Sequence, residues 1–355
     1  MSLIKIYFEN FTAFKRLNID FSKGINVFIG PNGTGKTHIL KAAYAACDIT
    51  KTQKSFTEKL VKVFLPYKGW PGRLVHRQKG SSQCSIQIYR QLENDNKIKI
   101  EASFSNHVKN HNNISVKGYK KWIEHKLESV YIPVKEMLSN APGLRSLYSQ
   151  RELFIEEIYI DILDKAYLPA LKGPIDRKRK RLLKIISKAI DGKVIEENEH
   201  FFLSNRQGKL EFPLLAEGLC KLGLLWLLIQ NGTLLKGSVL FWDEPEANLN
   251  PKIIRIVVEI LLELQRMGVQ IFLATHDYVV LKEFDLQRKK KDEIKFHSLY
   301  RDEKTGEIKV YSTETYFDIH PNAIAETFAD LYDRTIEKAI NQEKENAGTR
   351  GGINI

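Results

Sequence analysis

The run Gly30-Pro31-Asn32-Gly33-Thr34-Gly35-Lys36-Thr37 constrains this chain more than any other, because it satisfies G-x-x-x-x-G-K-[ST] at every fixed position. It is preceded by Ile25-Asn26-Val27-Phe28-Ile29, a short, mostly apolar run suited to a buried strand. It is followed by Ile39, Leu40, Ala42, Ala43, Ala45 and Ala46, which continue as a helix. Strand, glycine-rich turn and helix are the context the motif needs. Its glycines let successive backbone N–H groups turn onto a polyphosphate, and the helix N-terminus adds positive potential there. Asn32 to Thr37 are therefore the candidate nucleotide-binding residues, with Lys36 reaching the β/γ phosphates and Thr37 ligating Mg²⁺.

A second apolar strand, Val239-Leu240-Phe241-Trp242, ends in Asp243-Glu244. Unpaired buried carboxylates are costly, so two acids at a strand tip point to chemistry. Asp243 suits a Mg²⁺ contact through water, and Glu244 suits a general base aimed at the attacking water. Composition sets the broad class. The chain has 355 residues and a formal charge of +12, which favours polyanionic partners, DNA or RNA foremost. The longest apolar stretch, Leu222 to Ile229, is too short to span a bilayer. The opening MSLIKIYFEN lacks a signal-peptide pattern, so a cytoplasmic protein without membrane insertion is expected. Cys47, Cys84 and Cys220 lie far apart, against structural zinc and disulfide scaffolds.

Along the chain, Leu3–Phe8 and Leu17–Phe21 read as strands before the phosphate-loop strand. Residues 48–79 read as an irregular connection, with Pro66, Gly69, Pro71 and Gly72 as breakers. Ser85–Tyr89 and Ile98–Ala102 form a hairpin, Ser103 to Lys117 a polar excursion, and Ser129–Ile132 a further strand. Residues 144–200 turn helical and basic. Leu182, Leu183, Ile185 and Ile186 share one helix with Arg177, Lys178, Arg179, Lys180 and Arg181, the candidate polyanion contacts. The α/β texture returns after Pro213, Pro321 to Ile340 reads as the last helix, and 342–355 as a disordered tail. The expected organisation is thus an α/β head of two lobes, 1–143 and 201–341, with a mixed or antiparallel N-terminal sheet and a largely helical insertion at 144–200.

The continuation Asp243-Glu244-Pro245-Glu246-Ala247-Asn248-Leu249-Asn250-Pro251 resembles the Walker B and D-loop of ABC-type ATPases. Asn250 stands where that family usually has Asp. Ile271-Phe272-Leu273-Ala274-Thr275-His276-Asp277 resembles the switch strand, whose histidine senses the γ-phosphate, so His276 joins Glu244 as a catalytic candidate. Tyr7 to Thr37 is similar to the N-terminus of SMC, DNA-repair and OLD-like ATPases, within the wider AAA family. Val130-Tyr131-Ile132-Pro133 is similar to the strand before the Q-loop. The family's Gln is missing there, and Glu136 is its candidate substitute. Ala216-Glu217-Gly218 sits where the signature motif belongs, with Ala216 in place of a serine.

What the resemblance implies is a mechanism. Two chains would pair head to tail as a homodimer, each ATP and Mg²⁺ lying between one phosphate loop and the other chain's signature. Such ATPases often serve anti-phage defence or DNA maintenance, with a separately encoded nuclease or toxin as the output. No appended Toprim nuclease module is recognisable. The other readings are the ATPase subunit of a membrane transporter and a slow nucleotide-dependent scaffold.

Overall fold

The computed structural model describes residues 1–151 and 153–350, with side-chain detail through 342. β1 (Ser2–Phe11) and β2 (Phe14–Asp20) form a hairpin that buries Ile6, Phe8, Leu17 and Ile19. β3 (Ile25–Ile29) is buried at every position and feeds the phosphate loop, after which α1 (Lys36–Thr52) and α2 (Phe56–Phe64) follow. β4 (Gln83–Gln91), β5 (Lys97–Ser105) and β6 (Ser115–Lys117) complete an antiparallel sheet of order β2-β1-β4-β5-β6. Short α3 (Tyr119–Glu124) leads to β7 (Ser129–Ile132). Then come α4 (Leu144–Gln150), α5 (Glu157–Ala166) and α6 (Arg177–Ala189). β8 (Lys193–Glu197), β9 (His200–Asn205) and β10 (Gly208–Glu211) make a small antiparallel sheet.

The remaining chain alternates helix and strand. α7 (Glu217–Gln230), β11 (Val239–Asp243), α8 (Pro251–Arg266), β12 (Gln270–Ala274) and α9 (Tyr278–Gln287) lead to β13 (Ile294–Arg301) and β14 (Ile308–Thr313). α10 (Ala323–Arg350) closes the described chain. The central sheet has the order β14-β13-β3-β12-β11-β7, parallel except for the β14 edge. Both of its faces are covered, which is why β3, β11 and β12 read as unbroken apolar runs. Ile25, Val27, Ile29, Leu240 and Trp242 pack toward α6, α7 and α8. Phe28, Val239 and Phe241 pack toward α1 and the antiparallel sheet. Among the described residues, no helix is long and apolar enough to cross a membrane.

The α/β head and its antiparallel N-terminal sheet match the sequence expectation. Several elements do not. α2 stands in the supposed irregular connection, started by Ser55, whose hydroxyl accepts from Glu58 N at 3.1 Å. Ser55-x-x-Glu58 is a capping-box spacing, so that helix had a legible start. The 144–200 segment is helical only to Ala189, because β8 starts at Lys193 and its sheet runs on to Glu211. Nor does that segment have a core of its own: Ile162, Leu163, Leu182 and Ile186 pack in one cluster with Val130, Leu225 and Leu240. The last helix continues to Arg350, correcting the tail that began at 342. Glu, Lys and Ala at 343–347 outweigh Gly348 in helix propensity, and 351–355 lie outside the described residues.

One ionic knot ties the insertion to the phosphate-loop helix. Lys59 of α2 is wholly buried and donates to Asp48 of α1 (2.8 Å) and to Glu157 and Asp161 of α5 (2.9 and 2.6 Å). Burial alone would lower the Lys59 pKa, but the three carboxylates reverse this and raise it. Removing one member leaves uncompensated buried charge, which costs about 3–5 kcal/mol. Lys59→Met should therefore lower the urea midpoint by that equivalent, with the slope unchanged.

Candidate nucleotide-binding site

Three neighbouring parallel strands, β3, β12 and β11, end side by side, and each delivers one part of the site at its carboxyl end. This is where ligands lie in open α/β sheets. The loop after β3 needs its glycines for separate reasons. At Gly30 (φ 141°) an added Cβ would lie 2.1 Å from the Leu299 carbonyl oxygen. At Gly35 (φ 87°) it would lie 2.5 Å from the Phe14 ring, so the strand-β2 aromatic forms the floor of the loop. Asn32 and Gly33 are exposed on its open side. Thr34 Oγ1 donates to Pro31 O at 2.8 Å, closing the turn. Lys36 Nζ donates to Gly30 O (2.6 Å) and Pro31 O (3.1 Å). Burial lowers its pKa, an effect opposed by Glu244, Asp243 and Glu246.

Thr37 Oγ1 donates to Asp243 Oδ1 at 3.1 Å, and Tyr131 OH donates to Asp243 Oδ2 at 3.1 Å. Burial raises the Asp243 pKa, while these two hydroxyls pull it down and adjacent Glu244 pushes it up again. A threonine hydroxyl beside a buried carboxylate is a hard-oxygen donor pair that suits Mg²⁺. That ion typically takes one or two protein oxygens and fills its octahedron with phosphates and water. Among the described residues there is no cluster of three or more His, Cys, Asp or Glu that would hold a metal by itself.

Glu244 leaves the strand with φ 47°, a left-handed conformation uncommon outside glycine, while its N–H still donates to Ala274 O at 2.8 Å. The turn brings it to the end of β12. His276 Nδ1 lies 3.4 Å from Glu244 Oε1 and 3.7 Å from Glu246 Oε1. Glu246 organises this corner: its Oε1 accepts from Thr275 Oγ1 (2.7 Å) and from His276 N (3.1 Å). Thr37, Asp243, Glu244 and His276, separated in sequence, are thus brought together.

The signature segment caps α7. Ala216 is the exposed N-cap residue and offers no side-chain hydrogen bond, as its identity requires. Gly218 is buried, and an added Cβ there would lie 2.8 Å from the Leu249 side chain, so the close packing on the 247–249 turn requires glycine. Asn248 Nδ2 donates to Glu217 Oε2 at 2.5 Å, and Lys221 Nζ to Ala247 O at 2.6 Å. Within one chain this segment is bonded to the 247–248 turn. Asn250 acts as the N-cap of α8, its side chain accepting from Lys252 N at 3.0 Å.

Two candidates are engaged elsewhere. Both Glu136 carboxylate oxygens accept backbone N–H groups, from Leu138 and from Ser139, so it caps a local turn. It lines a cavity of about 370 Å³ with Glu217 and Asn248, away from the Thr37–Asp243 pair. Arg179 is buried, and its guanidinium donates to the Ile229 and Gln230 carbonyl oxygens at the end of α7. It is a helix cap, not a surface contact. Arg177, Lys178, Lys180 and Arg181 stay exposed, with Lys178 Nζ reaching Arg266 O at 3.3 Å and Arg181 lying 3.9 Å from Glu263. Sequence reading missed Tyr131, Glu246 and Phe14.

This geometry defines a P-loop ATPase head, and the comparisons agree. The chain belongs to the AAA ATPase domain family, whose model matches residues 1–198. A model described as "AAA domain, putative AbiEii toxin, Type IV TA system" matches residues 115–282. The DNA replication and repair protein RecF of Streptococcus suis is 32% identical over 88 residues, 25% of this chain and 24% of that protein. The chromosome partition protein Smc of Methanocaldococcus jannaschii is 39% identical over 54 residues, 15% of this chain and 5% of that one. The matches to RecF thus span about a quarter of its length. The fold is that of SMC heads. The SMC head domain from Thermotoga maritima superposes with a TM-score of 0.51 at 15% identity, over 89% of this chain and 100% of that one. A Pyrococcus furiosus Smc head domain with an extended coiled coil, bound to the C-terminal domain of ScpA, gives 0.53 at 12% identity, over 94% and 99%.

Glu246→Gln should leave nucleotide binding unchanged and slow turnover by about tenfold to a hundredfold, since displacing a positioned group costs on that order. Nucleotide titration and steady-state ATPase rates on the same preparation check it.

Proposed function

We propose that this chain binds and hydrolyses ATP with Mg²⁺ between two copies paired head to tail, and that the cycle controls contact with nucleic acid or a partner effector. The convergence of Thr37, Asp243, Glu244 and His276 at three adjacent strand ends carries this reading. The metal would sit on Thr37 Oγ1 and Asp243 and neutralise charge on the phosphates. The residues of the chain do the rest. Loop N–H groups from Asn32 to Lys36 cradle the phosphates. Lys36 exchanges its bonds to the Gly30 and Pro31 carbonyls for phosphate oxygens. Glu244 accepts a proton from the attacking water, and His276 holds the γ-phosphate side of the site. The bond to the β-phosphate breaks, releasing ADP and phosphate.

The second chain enters through the signature. Ala216-Glu217-Gly218 opens α7, and its free N–H groups suit the γ-phosphate of the opposite copy. With alanine in place of serine, this contact has no hydroxyl, so the dimer rests on backbone N–H groups and the site turns over slowly. A two-fold arrangement makes both sites equivalent. The RecF and Smc similarities and the AbiEii-type match support a cytoplasmic role in DNA maintenance or anti-phage defence, with a separately encoded nuclease or toxin as output. The exposed cations Arg177, Lys180 and Arg181 on α6 are the proposed polyanion contact.

Glu244→Gln should trap an ATP-bound pair in which cysteines introduced as Ala216→Cys and Asn32→Cys crosslink between the two chains only when ATP is present; the absence of an ATP-dependent crosslink would overturn the pairing. For the wild-type chain, DNA or RNA should raise the ATPase rate at low salt and lose that effect steeply as salt increases. A rate indifferent to both polymers across the series would remove nucleic acid as the trigger.

A further inference from the structure

The helix α10 leaves the body at the site and then runs free. Its first turn packs on the phosphate loop, where Pro321, Ala323 and Ile324 line a small cavity of about 50 Å³ with Gly30 and Pro31. Phe328 stacks on Tyr278, two residues beyond His276, with ring centroids 4.5 Å apart. From Glu326 to Gln342 every residue is exposed. Five of them are large and apolar: Phe328, Leu331, Tyr332, Ile336 and Ile340, between 43% and 69% exposed. On a lone surface helix such residues are normally polar, and a contiguous apolar stripe marks an interface.

The charges say what covers it. At about 100° per residue, the five apolar residues, with Thr335 and Ala339 among them, occupy one half of the helix. Arg334 and Lys338 border that half on one side, and Glu326, Asp333 and Glu337 border it on the other. One flank is basic and the other acidic. In a parallel two-fold pair of identical helices, the acidic flank of each faces the basic flank of its mate, with Asp333 five residues before the partner's Lys338, the spacing that flanking ion pairs use in parallel coiled coils. An antiparallel pair would set like flanks together. The acids on this stretch outnumber its bases on a chain whose formal charge is +12, which disfavours nucleic acid as the occupant.

We infer that α10 is a second, nucleotide-independent dimer contact, in which the apolar stripe of one copy packs in parallel on the same stripe of another. This differs from the ATP-bridged contact, which uses the signature and the phosphate loop. Because the root of α10 rests on Gly30, Pro31 and Tyr278, the paired helices hold two sites in one complex before nucleotide arrives.

Sedimentation of the full chain without nucleotide tests it. The wild-type protein should be a dimer at micromolar concentration. Tyr332→Glu with Ile336→Glu should be a monomer of unchanged circular dichroism, since neither side chain contributes to the core. Arg334→Glu with Lys338→Glu should weaken the dimer by about tenfold at low salt, the equivalent of roughly 1.4 kcal/mol. Adding Asp333→Lys and Glu337→Lys to that chain should restore it. A nucleotide-free monomer, a dimer indifferent to Tyr332 and Ile336, or a charge swap that fails to restore pairing would each overturn the inference. Adding Glu244→Gln to the Tyr332→Glu, Ile336→Glu chain keeps the two contacts apart: with α10 pairing removed, ATP should still convert this monomer to a dimer, so either contact can fail alone.

Discussion

The hydrogen bond from Thr37 Oγ1 to Asp243 Oδ1 joins residues 206 apart in the chain and exists only if β3, β12 and β11 lie in parallel register. Everything at the site follows from that register. The turn after β3 presents N–H groups to a phosphate, the tip of β11 presents two carboxylates, and the tip of β12 presents a threonine and a histidine. Burying the strands on both faces fixes the register. The pairs Leu240–Ile271 and Val27–Leu273 would move to the wrong side of the sheet with a slip of one residue. The apolar composition of three short strands is thus what brings distant polar atoms within 3–4 Å of one another.

That arrangement has an electrostatic cost which the site retains. Burial raises the Asp243 pKa and lowers that of Lys36. Both charged forms are held less comfortably than in water, and each is relieved by what a magnesium-bound triphosphate provides: a cation for the acid and phosphate oxygens for the amine. Glu244 adds a strained backbone, and such strain concentrates at functional turns. The site is poised for a ligand of alternating charge. On the far side of α1, the buried Lys59 knot clamps that helix to the insertion, which steadies the phosphate loop from below.

Much of this was legible in the sequence because the motifs join a local requirement to a local residue. Gly35 must be glycine for its own φ, and Asp243-Glu244 must follow an apolar strand. What escaped depends on atoms far away in the chain. Arg179 looked like one cation of a basic run, yet its helical position turns it inward to cap α7. Glu136 stood near the right place for a missing glutamine, yet its turn uses both its oxygens. Tyr131 reads as an ordinary strand residue until β7 is laid beside β11, which sets its hydroxyl on Asp243. Glu246 was hidden behind the neighbouring candidates Asp243 and Glu244 for the same reason. The β8–β10 sheet was hidden because its short strands follow directly on a strong helical pattern.

In the proposed pair, Lys36 and the 216–218 segment of one chain serve different sites, so that each chain carries two half-sites. Mixing two inactive chains tests it directly. Lys36→Ala disables the phosphate loop, and Ala216→Asp, still a good helix cap, places a carboxylate against the opposite γ-phosphate. In a mixed dimer one site receives both defects and the other receives neither. Equal amounts of the two chains should therefore regain ATPase activity well above the sum of the separate chains. Activity that stays at that sum would show that each chain hydrolyses ATP alone, and would contradict the two-chain site.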